Sequence, residues 1–141
     1  MTDAVSLELL AFNLKLLARQ RRKTILISAG QIEDKERMLP TIRDLHRLDA
    51  DIYATPGTHR FLTANGVKAT AINKIADEAP PNILTFLKDN RFDLVVNILT
   101  GDQDYDESSD ARTIRRLSIE NGIPLITDPD VAIATLRQVV K

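Results

Sequence analysis

The sequence predicts an α/β domain of three-layer α/β/α form, with five parallel strands carrying helices on both faces. Three observations predict it. Short runs rich in β-branched residues alternate with segments of helical periodicity. The connections between the runs are long enough to hold a helix, which a parallel crossover requires. Small and polar residues gather where the runs end, and ligands of open parallel sheets bind beyond those carboxyl ends.

Thr24 to Gly30 reads as the first strand, being short, apolar and closed by glycine. Lys35 to Asp49 reads as a helix, because Met38, Leu39, Ile42, Leu45 and Leu48 recur at spacings of three and four. Pro40 is expected in its first turn, where a proline is tolerated. Asp51 to Thr55 is the second strand. Pro56-Gly57 turns the chain, and Thr58 is expected to cap a short helix through Asn65. Gly66 suits the left-handed position that follows a helix.

Val67 to Ile72 is a weaker third strand, and Asn82 caps a helix ending near Asn90. Asp93 to Ile98 is the fourth strand. Asp110 opens a helix that runs to Asn121 and is closed by Gly122. Pro124 to Thr127 is the fifth strand. Asp128 caps the last helix, with Pro129 at its first position. The four strand ends then carry Ser28-Ala29-Gly30, Thr55 to Thr58, Asn97 to Gly101, and Thr127-Asp128.

Residues 5–20 form a separate helix candidate. Leu7, Leu10, Leu14 and Leu17 make one stripe, and basic residues follow at its C-terminal end, which suits the helix dipole. It is either docked on its own domain or a connector from a larger parent chain. The expected organisation is a connector helix over 1–23 and a ligand-binding domain over 24–141.

Composition narrows the function. The chain has 141 residues, enough for one domain, with 43% hydrophobic and 28% charged residues. A formal net charge of −1 argues against a nucleic-acid partner. There is no cysteine and there are two histidines, so thiolate chemistry, disulfides and a histidine-rich zinc site are not expected. No basic-then-apolar leader is visible, and no apolar run approaches the ~20 residues that span a bilayer. A cytoplasmic chain without a cofactor or membrane partner is the expectation.

The segment Thr55 to Thr58 carries the most chemistry. Its glycine lets backbone approach a ligand closely, and the helix after it offers free N–H groups to an anion. Alone it would be an ordinary turn. Lys35 and Lys74 follow the first and third strands and so fall on the same rim, as does Asn97. Together they outline a site for a phosphate or carboxylate. Asp102, Asp104 and Asp106 have the spacing that opens a calcium loop. Glu107 stands where that loop needs glycine, and Thr113 stands where it needs glutamate. A solvated acidic loop over 102–110 is the better reading. His59 and Tyr105 lie near enough to touch a ligand, although an exposed histidine at a helix start is more often incidental.

Eight segments together resemble a known family. They are Ile25 to Ser28, Asp34 to Arg37, Tyr53 to Thr58, Ile72 to Ile75, Pro81 to Ile83, Asp93 to Asn97, Ile114 to Arg116, and Gly122 to Thr127. Their order and spacing resemble the methylglyoxal-synthase-like regulatory domain at the C-terminal end of the carbamoyl-phosphate synthetase large subunit, across roughly residues 24–140. The resemblance implies a parallel sheet in the order 3-2-1-4-5 and an effector pocket at the strand ends. It also implies association with the remainder of a synthetase, a ligase serving pyrimidine and arginine biosynthesis. Bacterial relatives take nucleoside monophosphates such as UMP and IMP there, and ammonia-dependent animal relatives take N-acetylglutamate. The matching positions are Lys35, Thr55, Thr58, Lys74 and Asn97, with Thr100 keeping the one hydroxyl of its segment.

One departure is chemical. The bacterial pattern Asn-Thr-Thr-Ser-Gly becomes Asn97-Ile98-Leu99-Thr100-Gly101, so hydroxyls give way to apolar side chains. A second concerns catalysis. True methylglyoxal synthases carry Ser-Gly-Pro and Gly-Gly-Asp after the third strand, with a histidine before the helix that follows the fourth strand. Here the first segment is Asn73 to Asn82, holding Asp77 and Glu78, and Glu107 stands near the histidine's place. Asp110 persists, but serves equally as a helix cap. No catalysis is expected of this chain itself, and the alternatives are a lyase acting on dihydroxyacetone phosphate or a stand-alone ligand-binding module.

Overall fold

The computed structural model describes residues 23–75, 79–98 and 110–140. The elements run β1 (Thr24–Ala29), α1 (Ile32–Arg47), β2 (Asp51–Ala54), α2 (Pro56–Ala64), β3 (Thr70–Ala71), α3 (Ile83–Lys88), β4 (Leu94–Ile98), α4 (Asp110–Glu120), β5 (Leu125–Ile126) and α5 (Pro129–Val140). The strands form one sheet in the order β3-β2-β1-β4-β5, and every pairing is parallel. The connector helix expected over 1–23 and the acidic loop lie outside the described residues, save Lys23 and Asp110.

The order explains the layers. The chain moves β1 to β2 to β3 in one direction, then crosses back to β4 and β5. Right-handed crossovers therefore place α1 and α2 on one face, and α3 and α4 on the other. Alternation along β1 serves both faces. Ile25, Ile27 and Ala29 pack with Met38, Ile42 and Leu45 of α1, Leu62 of α2, and Ala132 and Leu136 of α5. Leu26 points the other way, toward Ile83, Phe86 and Leu87 of α3 and Ile114 and Leu117 of α4. All five residues of β4 are buried, as a central parallel strand covered on both faces should be.

Two local expectations are corrected. Helix α1 begins at Ile32, with Glu33 and Asp34 in its first turn, so Pro40 stands inside the helix rather than in the first turn. The proline is exposed while Met38, Thr41, Ile42 and Leu45 face the core, so the helix is held by packing on either side of the missing N–H. Helix α2 begins at Pro56, three residues earlier than a Thr58 cap requires. Thr55 occupies the N-cap position and Pro56 the first turn, where the fixed φ of proline is already helical.

Other signals read as expected. Asn82 Oδ1 accepts from Leu84 N at 2.8 Å, and Asp128 Oδ1 accepts from Asp130 N at 2.8 Å and Val131 N at 3.1 Å. Gly66 and Gly122 have φ of +78° and +67°, values that exact little from a residue without Cβ. The third strand is shorter than expected, two residues at the sheet edge. No helix among the described residues is long and apolar enough to cross a membrane.

Candidate anion site at the strand ends

Parallel register aligns the carboxyl ends of three central strands. Ser28 of β1 pairs with Asn97 of β4, and Ile27 pairs with Ala54 of β2, so Thr55 follows alongside Ser28. Thr55 Oγ1 lies 3.0 Å from Ser28 Oγ, to which it donates. Asn97, Ser28 and Thr55 thus form a polar row across the sheet end. Thr55 is 6% exposed and Asn97 7%, so this row is set into the rim rather than standing above it. Among the described residues the Asn97 amide makes no side-chain hydrogen bond.

Thr58 does different work. Its hydroxyl accepts from Ala29 N at 3.1 Å and donates to Ala29 O at 3.3 Å, with only 2% of the residue exposed. That pair of bonds fastens the first turn of α2 to the last residue of β1. The hydroxyl is already spent on backbone, which leaves the Thr58 backbone N–H as its donor toward a ligand.

The start of α2 is short of negative charge. Thr55 makes no side-chain cap, and the first turn holds no acidic residue. Within α2 the first N–H bonded to the turn is His59 N, to Thr55 O at 2.7 Å. Pro56 has no N–H, so the free donors at the helix start are Gly57 and Thr58. Helix α1 opens beside it with Glu33 and Asp34, and α5 opens with the Asp128 cap. The positive end of the α2 dipole is left without either compensation.

Cations make the bias stronger. A Cβ placed on Gly57 would stand 3.7 Å from Lys35 Nζ and 3.8 Å from Arg60 Nη2. Lys35 reaches there from α1, and Arg60 reaches back from one turn further along α2, the direction in which helical side chains lean. Neither has an ion-pair partner among the described residues. Lys74 follows β3 on the same sheet end; its carbonyl is held by Asn82 Nδ2 at 2.9 Å, and its side chain is exposed.

The structure therefore brings Lys35, Thr55 and Thr58 together around Gly57, sets Asn97 in register beside them, and leaves Lys74 at the edge. Thr100, Asp77, Glu78, Tyr105 and Glu107 lie outside the described residues. Sequence reasoning passed over Ser28 as a site residue, and Arg60 altogether. The three-residue spacing from Gly57 to Arg60 was the available signal. His59 and His46 are half-buried on helices. Among the described residues no group of three metal-ligating side chains occurs.

Fold and rim together define a parallel α/β domain with a positively biased end at the strand carboxyl termini. The chain belongs to the MGS-like domain family, whose model matches residues 37–127. Among curated relatives, it is 34% identical to the carbamoyl phosphate synthase large chain, C-terminal section, of Methanocaldococcus jannaschii, over 75% of this chain and 17% of that protein. It is 33% identical to the multifunctional protein CAD of Squalus acanthias, over 76% of this chain and 5% of that protein. The chain thus spans a small part of the length of these relatives. Methylglyoxal synthase from Elizabethkingia anophelis superposes with a TM-score of 0.64 at 18% identity, covering 82% of this chain and 77% of that one, which establishes likeness of fold.

Proposed function

We propose that this chain is the effector-binding regulatory domain of a carbamoyl-phosphate synthetase large chain, and that it takes an anionic metabolite against the start of α2. The observation that carries the reading is the uncapped first turn at Gly57 and Thr58, with Lys35 beside it. Backbone N–H groups at a helix start supply directed donors, and the lysines supply charge. The Thr55 hydroxyl and the Asn97 amide orient the rest of the ligand, and Lys74 and Thr100 are further contacts in this reading. The two curated relatives are parts of carbamoyl phosphate synthase and of CAD, which supports a parent synthetase and, with it, a cytoplasmic setting. Residues 1–23 then serve as the connector to that parent.

Regulation follows if the effector binds one state of the parent better than another, since that difference is all a ligand can transmit. Apolar Ile98 and Leu99 follow Asn97 in the sequence, which suits a ligand with a planar part. A nucleoside monophosphate, UMP or IMP, ranks first and N-acetylglutamate second.

The test is calorimetry of UMP, IMP and N-acetylglutamate against the chain, repeated with Thr55→Ala and Lys74→Ala. One charge-assisted contact is worth ~1.5–3 kcal/mol, so Lys74→Ala should weaken binding about tenfold to a hundredfold. Binding indifferent to both variants places the site elsewhere. Methylglyoxal formed from dihydroxyacetone phosphate by the chain would replace this reading with the lyase.

A further inference from the structure

We infer that Arg60 is a specificity-determining residue of this site, forming with Lys35 a two-cation clamp over Gly57 that selects a doubly charged phosphate monoester over singly charged anions. The inference rests on the reading above and deepens it by naming the ligand's charge. Its basis is the approach of Lys35 Nζ and Arg60 Nη2 to one point beside Gly57, at 3.7 and 3.8 Å. The two tips are no farther apart than the sum of those distances, within the span of a phosphate group's oxygens and their hydrogen bonds.

Two like charges do not gather at the positive end of a helix without a reason. Each is repelled by the other and by the dipole, and neither meets a carboxylate among the described residues. The same molecule handles a comparable arginine differently: Arg37 of α1 is paired with Asp130 of α5. Glycine at 57 keeps the space between the two tips open, because a Cβ there would occupy it. The Gly57 and Thr58 N–H groups belong to the same helix start, and the polar row at the sheet end includes the Asn97 amide, 7% exposed and without a partner among the described residues. Two cations and the helix start favour a group carrying close to two negative charges, as a phosphate monoester does near neutral pH. The guanidinium fork donates to two oxygens of one phosphate, and Lys35 meets the third as a point charge.

The experiment compares UMP with its singly charged methyl ester, uridine 5′-(methyl phosphate), by calorimetry on the full chain and on Arg60→Gln. The wild-type chain should bind UMP about tenfold or more tightly than the ester, and Arg60→Gln should lower UMP affinity about tenfold to a hundredfold while the ester changes little. Arg60 is exposed, so the variant should unfold at the wild-type temperature or slightly above it, two like charges no longer being held together. A preference for UMP over the ester that survives Arg60→Gln, in a chain where Thr55→Ala and Lys74→Ala do weaken binding, overturns the clamp and leaves the site standing. A wild-type chain that binds neither ligand overturns both.

Discussion

The two ends of β1 are built from similar residues and finish in opposite states. At the amino end, Thr24 N donates to Asp93 Oδ2 at 2.8 Å, and Asp93 N returns a bond to Thr24 O at 2.8 Å. Asp51 N meets Lys23 O at 2.7 Å. At the carboxyl end Ser28 Oγ accepts from Thr55, while the Gly57 N–H, the Thr58 N–H and the Asn97 amide have no partner among the described residues. The amino end spends its polar groups on holding the sheet, and under the proposed function a ligand supplies partners to those of the carboxyl end.

The sharpest way to break this contrast is to cut the amino end. Asp93→Ala removes the acceptor of the Thr24 N–H and the negative charge facing Lys23. A bond to a charged acceptor contributes ~1.5–3 kcal/mol, so urea unfolding should show a loss of about that size. Effector affinity should be unchanged, since no site residue is touched. A variant that lost affinity while keeping its stability would show that the two ends are coupled.

Asn97→Leu probes the open end and should produce a smaller change of opposite sign. Replacing a largely buried amide that has no partner among the described residues with an apolar group of similar size removes a desolvation cost. Unfolding free energy should hold or rise by up to ~1 kcal/mol, while effector binding weakens. A clear loss of stability would mean that Asn97 holds the fold, and the contrast between the two ends would fail.

The same contrast explains what was legible in the sequence. The central strands follow from local pattern, because a strand covered on both faces is largely apolar, and β4 is so apart from Asn97. Caps that serve their own helix, Asn82 and Asp128, were legible because donor and acceptor lie within three residues. Thr58 was misread as a cap because its partner is Ala29, twenty-nine residues earlier. Pro40 was misplaced because α1 starts upstream of its apolar periodicity, where two acids favour the dipole. Lys35, Thr55, Thr58, Lys74 and Asn97 came through resemblance and strand ends, and the structure sets four of them around or beside Gly57. The approach of Lys35 and Arg60 to one glycine from two helices is a tertiary fact. Local spacing shows only that Arg60 leans back over its own first turn.

The smallest expected effect concerns pH at the closed end. Lys23 is buried, and its pKa is lowered from the ordinary lysine value of 10.5, chiefly by desolvation and with the Asp93 charge acting against that. The folded chain therefore gives up this proton at lower pH than the unfolded chain does. Between the lowered value and 10.5 the unfolded state binds more protons, so this group makes stability rise with pH. Below that window both states are protonated and the cost of the buried charge is constant; above it neither is, and the cost has gone. Lys23→Met removes the titration, so its unfolding free energy should exceed that of the wild type near neutral pH and converge on it as pH approaches 10.5. Asp93→Ala takes away the opposing charge, which lowers the lysine further and widens the window. Urea midpoints for the three proteins, measured from about pH 7 to about pH 10.5, read this directly. A wild-type profile parallel to that of Lys23→Met throughout would mean that Lys23 reaches water, and that the amino end of β1 is less closed than its hydrogen bonds imply.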